Sequence, residues 1–267
     1  RAAHPPACQT FPLAFTRLGA RVLVTITHRC GCGTLARGRP LRSQGPSLAR
    51  RLALGPVPRV VPNLALDDGA RAGLEVPEAI VSSTLTPAQD ACDRLQRAWA
   101  IVLDHAPRPT EPAPLHVAST DALSSVLSDL AEACVRDEDP VLTAALTGDD
   151  HPLGEGIRQD LLHAGLHQAD ADVGAEIDRF VRDHLYGVRF LHHGSVARGL
   201  FGLTLAAGDL LRVVPRGHLE VRVRIMLWED VFVSPAFRGL LGPLGPLGSV
   251  LSSVWSAHAL AASVLRS

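Results

Sequence analysis

The chain has no lysine: all 26 of its basic residues are arginine, and Asn63, Tyr186 and Met226 are the only residues of their types. Residue types with AT-rich codons are nearly missing. That bias points to a GC-rich gene, and it equally fits a chain translated in part outside its true reading frame. Cysteine is scarce and irregular. Cys8, Cys30, Cys32, Cys92 and Cys134 are odd in number and lack regular spacing, which speaks against a disulfide framework and for a reducing, cytoplasmic setting. A phosphate loop, a dinucleotide fingerprint, a Gly-x-Ser-x-Gly elbow and a paired cysteine knuckle are all missing, so no cofactor is expected. Formal charge is absent from residues 239–265, but the Gly/Pro repeat Gly242–Gly248 breaks any helix there, and six of the positions 249–265 are serine or histidine. A membrane-spanning helix, which needs about 20 mostly apolar residues, is therefore not expected.

What is present is a globular complement of apolar residues, 46% of 267, enough for a real core. Charge is segregated along the chain. Residues 1–60 carry ten arginines and no acid, residues 61–190 carry nine arginines against 23 acids, and residues 191–267 carry seven against four. The formal net charge of −1 conceals this division into three units. Residues 1–60 read as a basic, Pro/Gly-rich, disordered tail, residues 61–197 as a helical domain, and residues 198–267 as a mixed segment. The tail's arginines are the one place where nucleic acid could bind electrostatically.

Within the tail, Val22, Val24 and Ile26 share one face of a possible strand over 21–27. Thr86-Pro-Ala-Gln89 forms a capping box, with proline at the first helical position. A helix is expected from there to about residue 105, with Ala88, Ala91, Cys92, Leu95, Ala98, Trp99 and Val102 as its apolar stripe. Further helices are expected at 119–136, after Asp139-Pro140, and at 155–168. A fifth runs from Asp172 to His193, where Val173, Ile177, Phe180, Val181, Leu185 and Val188 recur at helical period and Gly194 is the natural stop. Beyond it, Leu219, Val221, Val223, Ile225 and Leu227 alternate with Glu220, Arg222, Arg224, Met226 and Trp228. This pattern predicts a strand over 218–228, with Val231 and Val233 starting its partner.

Several histidines stand in patterns that carry chemistry. His28-Arg-Cys30-Gly-Cys32 offers three soft donors but lacks an obvious fourth, and the plain reading is an incidental cluster. His151-Pro-Leu-Gly-Glu-Gly-Ile-Arg158 resembles the loop of adenylylating Fic proteins, with one residue, the asparagine and the second glycine missing. Leu191-His192-His193-Gly194 resembles the paired histidines of condensation-type acyltransferases, with Ala197 where the supporting aspartate belongs. His163 and His167, four apart on one helix, could ligate a metal together with His184, but no general-base glutamate lies between them. Turns, helix ends and solvated faces explain all of these, so no metal site and no catalytic residue is assigned.

The stretch from Thr86 to His193 resembles the effector-binding, dimerising half of tetracycline-repressor-type regulators. The likeness lies in Asp139-Pro140, Ile157-Arg-Gln-Asp-Leu-Leu162, the Gly165-Leu166 break and a long last helix with Leu185-Tyr-Gly187. Residues 1–85 show no two consecutive amphipathic helices, so the family's DNA-reading half is not found and DNA binding is not carried over. The resemblance implies a helical small-molecule-binding or dimerisation module, a small apolar ligand and a homodimer. Bundle interiors hold such ligands with a few polar groups, and Trp99, His163 and Tyr186 are the candidates here. The alternatives are a histidine-dependent enzyme, acting through a metal or by nucleotidyl transfer, and a partly misframed chain with no function of its own. The expected fold is mainly α: a helical bundle over residues 86–193, a short β-hairpin-like C-terminal segment and a disordered N-terminal tail.

Overall fold

β-Branched residues close to the start of the chain do form a strand, and it has a partner. In the computed structural model, which describes residues 13–28, 45–53, 56–109, 172–245 and 247–265, β1 (Leu13–Leu18) pairs antiparallel with β2 (Arg21–Ile26), Leu13 opposite Ile26 and Leu18 opposite Arg21. Val22, Val24 and Ile26 share a face, as expected, but Leu23 and Thr25 are the strand's buried positions. Residues 13–28 therefore depart from the expected disordered tail. The hairpin is held because β2 packs on a later helix and because Pro58 to Val60 lies along β1. There Arg17 N donates to the Pro58 carbonyl at 2.7 Å and Val60 N to the Arg17 carbonyl at 2.9 Å. A short helix, α1 (Gly45–Leu52), lies between the two segments in sequence.

The two-residue strands β3 (Leu64–Ala65) and β4 (Arg71–Ala72) enclose a turn that anchors the rest. The Asp67 carboxylate accepts from the Gly69, Ala70 and Val254 backbone amides. The Leu66 carbonyl accepts from Ala197 N at 2.9 Å, and Asp68 pairs with Arg198 at 2.6 Å. Two later helices are thus tied by their starts to this one turn.

Helix α2 (Glu75–Thr84) carries Glu75 and Glu78 at its positive end, where negative charge is favourable. Helix α3 spans Ala91–His105, five residues short of the expected start at Thr86. Asp90 is its cap: the Asp90 carboxylate accepts from Asp93 N at 2.9 Å, and Asp93 accepts in return from Gln89 N at 3.0 Å. A carboxylate pair one turn further along displaces the Thr86–Gln89 box, since a charged acceptor gains more at a helix start than a hydroxyl. Of the expected apolar stripe, Ala91, Leu95, Ala98, Trp99 and Val102 are buried, while Cys92 and Ala88, which precedes the helix, are only partly buried.

Helix α4 spans Val173–Tyr186, starting where expected, and Asp172 caps it by accepting from Ala175 N. It stops seven residues before the expected His193. At Gly187 a side chain would meet Thr25 Oγ1 at 2.9 Å, so the closeness of β2 requires glycine there. Val188 then turns left-handed, φ 49°, and a 3-10 turn, Arg189–His193, follows. Helix α5 (Val196–Val213) is capped by Ser195 and buried on nearly every side. A Cβ at Gly199 would collide with the Phe190 carbonyl, so glycine lets the 3-10 turn lie directly on α5. An all-round apolar helix of this kind forms the centre of a core. It packs against α8, α3, α6 and α4, defined here and below, and against the 3-10 turn.

The expected strand over 218–228 is instead helix α6, His218–Val233. Its residues satisfy two periods at once. Val221, Ile225, Trp228 and Phe232 fall at helical spacing and are buried, and the intervening Arg222 and Glu229 are buried with partners of opposite charge, Glu176 and Arg189. Those partners neutralise charges that the alternating pattern assigned to water, so the helix wins. Helices α7 (Pro235–Leu241) and α8 (Val254–Val264) complete eight among the described residues. The C-terminal segment is thus helical where a β-hairpin was expected, while the mainly α fold holds. No described helix is long and apolar enough to cross a membrane. The expected helices at 119–136, 140–148 and 155–168 lie outside the described residues, as do His151, His163 and His167.

Candidate functional site

The left-handed turn at Val188 separates two very different environments. On its inner side runs a ladder of alternating histidine and phenylalanine rings. His28 contacts Phe180 at 5.7 Å between ring centroids, and Phe180 contacts His184 at 4.3 Å. His184 meets Phe232 at 4.8 Å, and Phe232 and Phe237 enclose His193 at 5.3 and 5.5 Å. The ladder draws on the turn after β2, α4, the 3-10 turn, α6 and α7, and all six rings are buried.

Carboxylates touch the ladder at two points. His28 Nε2 lies 3.3 Å from Asp183 Oδ2, and His184 Nε2 lies 3.7 Å from Glu229 Oε1. Glu229 is fully buried and clamped by both terminal nitrogens of Arg189, one of them at 2.8 Å from Oε1. Burial on its own would raise the Glu229 carboxyl, but the Arg189 charge and hydrogen bonds, with His184 and His28, hold it down at about 2. The opposite shift acts on the rings. Burial, then Arg189, pushes His184 well below the usual imidazole range against the pull of Glu229. Burial, then His192 and Arg238, takes His193 down to about 3. Both imidazoles are neutral at neutral pH, and Glu229 carries the charge that balances Arg189.

On the outer side a half-open cleft of about 140 Å³ lies between β1, the 58–64 segment and the 3-10 turn. Pro58, Val60, Val61, Leu64, Val188 and Leu191 give it an apolar wall, and Thr16, Arg59 and His192 supply its polar rim. Val61 is 59% exposed beside it. The cleft exists because the Pro58–Val60 strand is bonded to Arg17 on one side while Val188 holds the far wall. A left-handed β-branched residue is strained by roughly 1–3 kcal/mol. Two features of its surroundings hold it there: its side chain is buried and the next residue, Arg189, is locked onto Glu229.

The residues singled out by sequence fall at different places. Trp99 is buried in the core, its indole N–H donating to Thr204 Oγ1 at 3.1 Å and its ring facing His258. Tyr186 is partly buried against the core. Neither lines the cleft, and His163 lies outside the described residues. His28 joins the ladder, while Cys30 and Cys32 are not described. Among the described residues no three His, Cys, Asp or Glu side chains are placed to hold a metal ion. In the paired-histidine motif His192 reaches the cleft and His193 is buried with neither ring nitrogen hydrogen-bonded. The geometry therefore gives His193 no access to a substrate proton. Sequence reasoning missed the Arg189–Glu229 clamp and the cleft. An acid inside the apolar run Met226 to Val233 was the available signal for the first, since such a charge is rarely buried without a partner.

No protein-family model matches the chain, and no curated protein or solved structure resembles it.

Proposed function

We propose that the protein is a helical small-molecule-binding module whose ligand seats in the cleft between Arg59 and His192. The observation that carries this reading is the half-open, apolar-walled cleft with a strained Val188 in its wall. Strain of that kind collects where a fold holds backbone for a purpose other than its own stability. Binding is favoured over catalysis because, among the described residues, no carboxylate lines the cleft to work with His192, and a lone imidazole without an orienting partner makes a poor general base. A homodimeric, effector-type role in a cytoplasmic regulator belongs to the same proposal. Its support is the sequence pattern alone, and sedimentation of the purified chain tests the dimer.

The cleft itself is tested by a thermal-shift and NMR screen of small apolar and amphipathic compounds. Ligands are expected to raise the melting temperature and to perturb Val60, Val188 and Leu191 resonances together. Leu191→Arg, which fills the cleft from its half-buried edge, is expected to abolish these effects while leaving the fold intact. Ligands that bind equally well to that variant would show that the site lies elsewhere.

A further inference from the structure

We propose that the cleft takes a small monocarboxylate with an apolar body of about six carbon atoms, its anionic end held between Arg59 and His192; this rests on the cleft being the binding site. The size follows from the volume. A cleft of about 140 Å³ is close to that of a dry protein cavity known to hold benzene.

The sign of the ligand's charge follows from the rim. Among the described residues, the ionisable ones that line it are Arg59 and His192, and none is acidic. The nearest buried carboxylate, Glu229, is consumed by Arg189. Arg59 is exposed, and its guanidinium makes no hydrogen bond or ion pair among the described residues. The positive field extends beyond the rim. Burial first, then the charges of Arg189 and Arg238, lowers the His192 imidazole; Glu229 balances Arg189, which leaves Arg238 on α7 as the cationic group facing this ring. A neutral guest would leave that potential unanswered, whereas a carboxylate gains charge-assisted bonds from the guanidinium and stabilises the imidazolium of His192. Val60, Leu64, Val188 and Leu191 meanwhile cover the ligand's apolar body. A cation would meet the same field as repulsion and a dicarboxylate would have no second donor group in the apolar wall.

The test compares benzoate with benzamide, equal in shape and unequal in charge, on the full chain by calorimetry and by NMR of the His192 ring. Benzoate is expected to bind at least about tenfold tighter than benzamide, and to weaken as salt is added. Arg59→Gln and His192→Gln, both at exposed positions, are each expected to cost benzoate about five- to tenfold in affinity and to leave benzamide unchanged. Equal affinities, with both compounds shifting Leu191 and His192, would overturn the carboxylate assignment and leave the cleft as a binding site. Benzoate binding that survives both substitutions overturns it as well, by placing the anion elsewhere. If neither compound perturbs cleft residues at about 10 mM, a concentration that saturates even weak sites of this size, the cleft reading itself falls.

Discussion

His192 and His193 are neighbours in the chain, yet one rims a solvent-filled cleft and the other sits between two phenylalanine rings. The inner side of this turn holds a buried ionic pair and three buried imidazoles. The outer side holds cationic groups against water and apolar walls. The difference teaches how the same residue type is put to opposite uses. Inside, a charge persists only because its partner is fixed at hydrogen-bond distance. Outside, Arg59 is exposed and makes no ion pair among the described residues. Arg189 belongs to both sides, since its guanidinium closes the inner network and its backbone continues the strained wall of the outer cleft.

The largest expected effect comes from breaking the inner side. Glu229→Ala leaves the Arg189 guanidinium, only 12% exposed, without its counter-charge. A loss of about 3–5 kcal/mol in urea unfolding is expected, the usual cost of stranding one half of a buried pair. A loss below about 1 kcal/mol would show that Arg189 escapes to water and that the inner network is not closed.

Acid sharpens the same contrast. His193 is held near 3 in the fold and titrates near 6.5 when unfolded, so the unfolded chain binds more protons between those values. Its stability contribution is full above about pH 6.5 and declines toward about pH 3, by roughly 1.4 kcal/mol per pH unit. His184, also held low, acts in the same direction. Glu229 adds a further loss between its ordinary value of 4.5 and its folded value of about 2, because a depressed carboxyl's contribution is full above its unfolded pKa and is lost as pH falls to its folded one. Denaturant midpoints measured from pH 7.5 to 4 are expected to fall steadily. His193→Phe is expected to remove one histidine's share of that slope, and at pH 7 to leave stability unchanged or raise it by about 1 kcal/mol, since two unpaired buried nitrogens disappear. An unchanged slope in that variant would mean that His193 is hydrated in the fold.

The smallest expected effect concerns the turn itself. At Val188, glycine and alanine both lose the buried isopropyl group, but only alanine keeps a Cβ at positive φ. Val188→Gly is therefore expected to be more stable than Val188→Ala by about 1 kcal/mol, the reverse of the usual order. Equal stabilities would deny the left-handed conformation at this residue.

Legibility in the sequence followed environment. The apolar stripes of α3 and α4 were readable because each helix has one wet and one dry face, so burial is written as a period. Helix α5 was harder to read: with core on nearly every side, Val196 to Val213 has no broad wet face to set against a dry one. Helix α6 carried two periods, and a strand was the natural choice until Glu176 and Arg189, 46 and 40 residues upstream, supplied charges for Arg222 and Glu229. The cleft was illegible for a related reason. Its walls come from β1, the 58–64 segment and the turn after α4, and no local pattern reports that Thr16, Arg59 and His192 share a rim.

Proline geometry and one-sided amphipathicity act within a few residues, so the helical class and the stop of α3 at Ala106 ahead of Pro107 are legible locally. Tertiary structure alone decided the conformation of residues 218–233, the early end of α4 at Gly187 and the division of neighbouring histidines between core and cleft. Each of those depends on which distant backbone or charge arrives alongside, and that is fixed only when the chain closes on itself.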